Sequence, residues 1–301
     1  MNTAKKAILI TASILTVAGL VIFAAAMTAS SWDFSVFETS KTVTNTYTVT
    51  ESFSGISVDT ETADILFVLS DDGRCVVECQ EKENVTNSVK IENGMLVIKT
   101  VDERKWYEHI GIDFGKQTIT VFIPESEYAS LIINESTGDI EIPAGFTFGD
   151  ADITVSTGDV TFSASVKNKL KIRTSTGDAR INKTSASILD VSVSTGDVTV
   201  TDFTGNDLTF SGSTSDIILK NSVFTNKISI KSSTGDVCFD RCDAAEIYVK
   251  TSTGDVTGTL ASEKIFITDT STGSVSVPKT ASGGRCEITT STGDIDISIT
   301  N

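Results

Sequence analysis

Ser156-Thr157-Gly158-Asp159-Val160 is one copy of a pattern that returns every 19 or 20 residues along the chain. The tetrapeptide Ser-Thr-Gly-Asp, or a one-residue variant of it, is centred on Gly138, Gly158, Gly177, Gly196, Ser215, Gly235, Gly254, Gly273 and Gly293. Self-similarity at this period is typical of a solenoid, in which each copy forms one coil and stacking buries the core.

Apolar residues occupy four fixed positions around the centres, seven and five residues before them and two and four residues after them, with Thr268 as an exception at the second position. In one copy they are Leu170, Ile172, Ala179 and Ile181; across the copies the last position is interrupted by Gly258. Polar residues alternate with them, a period of two that indicates strands. We therefore predict an all-β fold, a parallel β-solenoid of about nine coils of 19–20 residues.

The corner between the two strands of each coil is the candidate structural site. Glycine adopts positive φ without steric penalty, and Ser, Thr and Asp side chains can cap free N–H groups. The predicted corner ladder comprises Gly138, Asp139, Gly158, Asp159, Gly177, Asp178, Gly196, Asp197, Gly235, Asp236, Gly254, Asp255, Gly293 and Asp294.

The uniformity of this ladder argues against catalysis. Stacked aspartates resemble the carboxylate pair of a retaining glycosidase, but an acid and a base need different environments. The aspartates here have nearly identical neighbours, so we predict no enzyme and no catalytic, cofactor-binding or metal-ligating residue. A polysaccharide-active or calcium-binding β-helix is the less favoured alternative.

The N-terminus has the composition of a membrane segment. Lys5 and Lys6 precede 21 residues without charge, enough to span the hydrocarbon core. The positive-inside rule predicts a cytoplasmic tail (1–6), a transmembrane anchor (7–27), a stalk (28–45) and a large extracytoplasmic domain. A cleaved signal peptide is the alternative, because Ala24-Ala25-Ala26 fits a cleavage site.

Residues 46–130 hold strands without the regular repeat and form the predicted N-terminal β region and cap. A degenerate corner occurs at residues 61–64, and Asn93-Gly94 predicts a hairpin turn. Residues 102–114 include Trp106, Tyr107 and Phe114, contain His109, the single histidine, and are the expected lid. The solenoid proper is predicted over 131–301. No comparable cap follows its last coil, which predicts an open edge and end-to-end self-association.

Charge and cysteine content restrict the partners further. A formal net charge of −16 repels polyanions and argues against nucleic-acid binding. Cys75 and Cys79 are too far apart in an extended strand to bridge, whereas Cys238 and Cys242 could approach if the chain bends. Cys286 falls in an inward column. Structural thiols are the favoured interpretation of the five cysteines, with a disulfide or metal site left open.

The repeat array, the apolar N-terminal segment and the irregular strands before the coils resemble bacterial β-strand-repeat proteins labelled putative adhesins, a domain of unknown function. The resemblance covers residues 45–301. It implies an adhesin-like or envelope-associated scaffold at the cell membrane, with a protein or cell-envelope glycan as partner. A self-assembling protein of the bactofilin kind is the main alternative. Ice binding is disfavoured because Arg173, Lys231 and Lys250 interrupt the outer threonine rows.

Overall fold

The computed structural model describes residues 3–29, 42–82, 85–104 and 117–300. An N-terminal helix, α1 (Thr3–Ala29), is followed by strands. Those that precede the regular copies are β1 (Thr42–Val49), β2 (Gly55–Thr62), β3 (Asp64–Leu69), β4 (Cys75–Lys82), β5 (Val85–Glu92), β6 (Met95–Asp102) and β7 (Thr118–Ile123).

The regular copies supply the remaining strands. They are β8 (Glu127–Thr137), β9 (Ile140–Ile142), β10 (Thr147–Thr157), β11 (Val160–Phe162), β12 (Ser165–Val166), β13 (Lys169–Thr176), β14 (Ala179–Asn182), β15 (Ser185–Thr195), β16 (Val198–Thr201), β17 (Thr204–Thr214), β18 (Ile217–Lys220), β19 (Val223–Lys231), β20 (Val237–Lys250), β21 (Val256–Leu260), β22 (Lys264–Thr272), β23 (Val275–Ser276), β24 (Gly284–Thr292) and β25 (Ile295–Ile299). Each predicted corner lies between two strands.

Equivalent strands of neighbouring coils pair in parallel and in register. Ile153 lies opposite Ile172, and Ile172 lies opposite Val191. On the other side of the corner, Val160 lies opposite Ala179. This pairing turns each sequence column into a continuous column of side chains. The predicted parallel β-solenoid is confirmed.

The last two copies do not stack in sequence order. β24 pairs with β20, and β22 pairs with the far side of β24. The second strands follow the same order, β21 with β25 and β25 with β23. The copy centred on Gly293 is therefore inserted between those centred on Gly254 and Gly273. The prediction that the last copy in sequence forms the open edge is wrong, because the Gly273 copy occupies the end of the stack.

The residues of these two copies explain the exchange. The Gly293 copy has apolar residues at all four inward positions, whereas the Gly273 copy has Thr268 at one of them and Ser274 in place of the corner aspartate. An interior coil is covered on both sides and a terminal coil on one. Placing the more polar copy at the end therefore avoids burying polar groups.

The N-terminal end shows a similar exchange. β2 lies between β6 and β8, and β3 lies between β7 and β9. The degenerate corner at Ala63 thus stacks directly on the first regular copy. β5, β4 and β1 pair antiparallel with β6, β7 and β4 respectively, so strands of opposite direction cover this end. The Asn93-Gly94 hairpin is confirmed, with positive φ at both residues.

The predicted aromatic lid lies almost wholly outside the described residues. Residues 105–116, which include His109, are not among them, and neither is most of the predicted stalk, 30–41. Of the lid, Asp102 and Arg104 are described and form an ion pair at 2.6 Å. Capping by the lid therefore stays a prediction.

The four inward columns form one hydrophobic core. Leu170, Ile172, Ala179 and Ile181 are fully buried, as are their equivalents in the other interior coils apart from Gly258. In the terminal Gly273 copy, by contrast, Val275 is 45% exposed. The predicted inward orientation is correct for the interior coils. It fails at Val275 because no described residue stacks on that side.

Candidate functional site

The corner glycines mark a close approach between successive coils. Gly158 has a φ of 147°, and a Cβ added there would lie 2.0 Å from the carbonyl oxygen of Gly138. The corresponding distance at Gly177, measured to the Gly158 oxygen, is also 2.0 Å. The obstacle is backbone rather than a movable side chain. The glycine column therefore meets two needs at once, an unusual φ and room for the adjacent coil.

The aspartates form a hydrogen-bond ladder along the corners. The Oδ1 atom of Asp159 accepts the backbone N–H of Asp178 at 2.8 Å, and Oδ1 of Asp178 accepts that of Asp197 at 2.8 Å. The same bond links each coil to the next from Asp64 to Asp294. These N–H groups offset the repulsion among carboxylates about 4.8 Å apart.

Ser274 replaces aspartate in the coil that ends the ladder. Its N–H donates to Oδ1 of Asp294 at 2.7 Å, and its hydroxyl donates to the same oxygen at 3.0 Å. Among the described residues no further coil follows, so no N–H remains for a carboxylate at this position to accept. The sequence position of Ser274, in the eighth of nine copies, concealed this relationship.

A buried carboxylate that the sequence analysis missed stabilises the first corner. Glu135 is 4% exposed and accepts hydrogen bonds from the Thr60 hydroxyl and from the N–H groups of Ala63 and Thr137. Burial raises the pKa of Glu135, while these donors act in the opposite direction. The sequence contains one signal for this site: Glu135 stands at the repeat position that Val155 occupies in the next copy.

Electrostatics around the ladder favour ionised carboxylates. Arg180 pairs with Asp159 at 2.8 Å and with Asp178 at 2.6 Å, and its hydrogen bond lowers the pKa of Asp159. The N–H of Ser274 likewise lowers the pKa of Asp294. Both shifts are opposite to the raised pKa that a general acid requires. The arrangement is suited to holding coils together rather than to proton transfer.

Metal binding would compete with these hydrogen bonds, because one oxygen of each linking carboxylate accepts an N–H. Among the described residues, no group of three or more His, Cys, Asp or Glu side chains could hold a metal ion. We expect the full chain to keep its β-sheet circular dichroism signal in chelator and calcium to shift its Tm by less than about 2 °C. Loss of the signal in chelator, restored by calcium, would instead make the ladder a metal site.

The five cysteines are free thiols. Burial raises the pKa of Cys75 to about 11 and the pKa values of Cys79 and Cys286 to about 12. Metal binding and nucleophilic attack need the thiolate, which these pKa values disfavour at neutral pH. Cys286 lies in its predicted inward column, fully buried.

The helix α1 contains the candidate membrane segment. Its stretch Leu9–Ala29 has 21 residues and a mean hydropathy of 2.4, long and apolar enough to cross a bilayer. This stretch overlaps the predicted anchor, 7–27. Signal sequences near an N-terminus can have the same length and composition.

Comparison with known proteins agrees with this architecture. The family model described as Toastrack DUF4097 matches residues 53–298. A putative adhesin from Parabacteroides distasonis ATCC 8503 is 15% identical with a TM-score of 0.52, the match covering 86% of this chain and 98% of that one. A putative adhesin from Bacteroides fragilis NCTC 9343 is also 15% identical, with a TM-score of 0.47 and coverages of 86% and 97%. No curated protein gives a significant match.

Proposed function

We propose that this chain, which belongs to the Toastrack DUF4097 family, is a non-catalytic interaction scaffold attached to the outer face of a cell membrane. The observation that carries the proposal is the contrast between inner and outer columns. Inward positions repeat from coil to coil, whereas the outward position six residues before the corner changes among Asp152, Lys171, Asp190 and Tyr248. A rigid stack with a variable outer surface is the usual basis of binding by repeat proteins.

The proposed attachment is through residues 7–27. Lys5 and Lys6 lie on the N-terminal side of this segment, so the positive-inside rule leaves the short tail in the cytoplasm. The solenoid would then face the cell envelope, where a protein or an envelope glycan is the proposed partner. The adhesin descriptions of the similar structures accord with this role, on the basis of fold alone.

External protease tests the proposed orientation. We expect protease added to intact spheroplasts to degrade the solenoid, because the chain after residue 27 lies outside the membrane. An antibody against a tag at the C-terminus would follow the loss, with a cytoplasmic protein as the control for lysis. Full protection of the solenoid in intact spheroplasts would contradict the outward orientation.

A second candidate function, self-assembly, is favoured by the exposed end of the stack. Among the described strands, β22 pairs only with β24, which leaves one edge free, and Ile265 and Ile267 on it are 45% and 46% exposed. Exposed apolar edge strands promote strand-to-strand association. Antiparallel strands cover the other end, so coil-on-coil filaments of the bactofilin kind lack a matching surface. Closed pairs joined at the Gly273 copy are the expected assembly.

Electron microscopy of the full chain in nanodiscs tests this second function. We expect pairs joined at the ends distant from the discs, and we expect Ile265→Lys to abolish them by placing charge on the free edge. Ile188→Lys is the matched control, because Ile188 is 40% exposed at the same repeat position in an interior coil. Long filaments would favour the bactofilin-like assembly, and single particles throughout would contradict self-assembly.

A further inference from the structure

A groove on the outer face brings two lysines together on adjacent strands. It has a volume of about 240 Å³ and lies across β19, β20 and β24. Lys231 is in parallel register with Lys250, which is in register with Thr289. The neighbouring row of the groove consists of Ser229, Tyr248 and Glu287.

These two lysines differ from outward cations that neutralise an acid on the adjacent strand. Lys171, for example, bonds to Asp152 at 2.7 Å. Within the part of the chain that the structure describes, neither Lys231 nor Lys250 lies within ion-pair distance of a carboxylate. Like charges directly opposite on neighbouring strands, about 4.8 Å apart, repel each other. An anion between the two ammonium groups would relieve that repulsion.

Four other charged groups beside the groove are already engaged. Glu287 pairs with Arg285 at 2.6 Å, and Glu246 accepts a hydrogen bond from the Tyr248 hydroxyl at 3.1 Å. Lys227 Nζ lies 4.2 Å from the centre of the Tyr248 ring, a cation–π contact that holds the ring beside the lysine pair. The groove therefore combines an aromatic wall with two positive charges that have no carboxylate partner among the described residues.

We propose that the Lys231–Lys250 pair binds a phosphate monoester. Lysine is a common phosphate ligand, and a phosphate monoester carries about −1.5 to −2 charges at neutral pH, matching two ammonium groups where one carboxylate would not. The hydroxyls of Ser229 and Thr289 can donate to further phosphate oxygens. Because drug-sized pockets measure roughly 300–1,000 Å³, this smaller groove suits a sugar phosphate or glycerol phosphate. Such a group occurs on glycans and on lipid headgroups.

The net charge of −16 does not prevent this binding. At physiological ionic strength, exposed charges more than about 8 Å apart are largely screened, so the local balance decides. Of the residues that line the groove, Lys231 and Lys250 are cations and Glu287 is the single carboxylate, which pairs with Arg285. A further carboxylate, Asp269, lies opposite Thr289 on β22, one strand beyond the groove. Binding is accordingly expected to weaken as salt concentration rises.

Phosphorus NMR line broadening of glycerol 3-phosphate, added to the full chain in phosphatidylcholine nanodiscs, tests the proposal. We expect the parent chain to broaden the line. We expect the double substitution Lys231→Gln with Lys250→Gln to weaken the binding affinity by about tenfold or more. The matched control is Lys90→Gln with Lys220→Gln, which removes two exposed lysines elsewhere and should leave binding within about twofold. If the Lys231→Gln with Lys250→Gln variant has a lower Tm than the parent chain, the single variant Lys250→Gln is used in its place, with an expected loss of binding affinity of about threefold.

Three outcomes would overturn the phosphate site: no broadening with the parent chain, equal loss in both double variants, or equally tight binding of acetate. Vesicles containing phosphatidic acid, compared with phosphatidylcholine vesicles, distinguish the sources. Binding to glycerol 3-phosphate together with a preference for the phosphatidic acid vesicles assigns the phosphate to a lipid headgroup, and binding to glycerol 3-phosphate without that preference supports a glycan. The phosphate site rests on the proposed scaffold function, because it specifies the chemistry of the partner that the scaffold binds. The NMR experiment on purified protein tests the phosphate site, and the protease experiment on spheroplasts tests the membrane orientation. Each proposal can therefore fail without the other.

Discussion

Replacing Ile172 by aspartate is expected to lower the free energy of unfolding by about 5 kcal/mol or more. The substitution removes a fully buried side chain and leaves a carboxylate without a partner between Ile153 and Val191. Domains of ordinary stability have about 5–15 kcal/mol in total, so the coils around residue 172 should unfold. Thermal melts followed by circular dichroism of the full chain in detergent measure the effect.

Arg173→Gln is the matched control for this substitution. Arg173 is the next residue along β13, its side chain is 47% exposed, and its contact with Asp152 is a long 3.6 Å ion pair. Its replacement should change stability by less than about 1 kcal/mol. Equal destabilisation by the two substitutions would show that the inward and outward assignment of β13 is wrong.

Gly177→Ala is expected to cost more than about 3 kcal/mol, although it adds a single methyl group. The φ of Gly177 is 136°, and the new Cβ would lie 2.0 Å from the carbonyl oxygen of Gly158. No side-chain rotation relieves a contact between Cβ and backbone, so the two coils must separate locally. The hydrogen bond from the Gly158 N–H to the Thr176 carbonyl should be lost as well. Chemical denaturation curves of the full chain measure the loss.

Gly73→Ala is the control for a positive φ near the ordinary left-handed region without a close contact. Gly73 also has positive φ, 72°, but a Cβ there would have no atom within 4 Å. Its substitution should therefore cost only about 1 kcal/mol, the backbone penalty alone. A similar cost at both positions would mean that close approach between coils contributes little to the need for glycine.

The Ser274 corner shows a feature that the repeat pattern alone does not predict. Its position in the eighth copy suggests an interior defect, and only the pairing of β22 with β24 reveals that it belongs to the terminal coil. The open edge was misplaced for the same reason. Glu135 and the Lys231–Lys250 pair also escaped the sequence analysis as candidate sites, because their significance depends on which groups lie beside them in neighbouring coils.

The sequence by itself determined the two-strand coil, its corner and its inward columns. These follow from local rules, since alternation with a period of two assigns the faces of a strand and the 19- or 20-residue repeat sets the coil length. Only the tertiary structure decided which coil stacks on which at the two ends. Similar coils present similar edges, and the entropic cost of a longer connection rises slowly with its length, so sequence order alone does not dictate the stack. Burial of the complete apolar columns and termination of the aspartate ladder at Ser274 place the Gly293 copy inside and the Gly273 copy at the end.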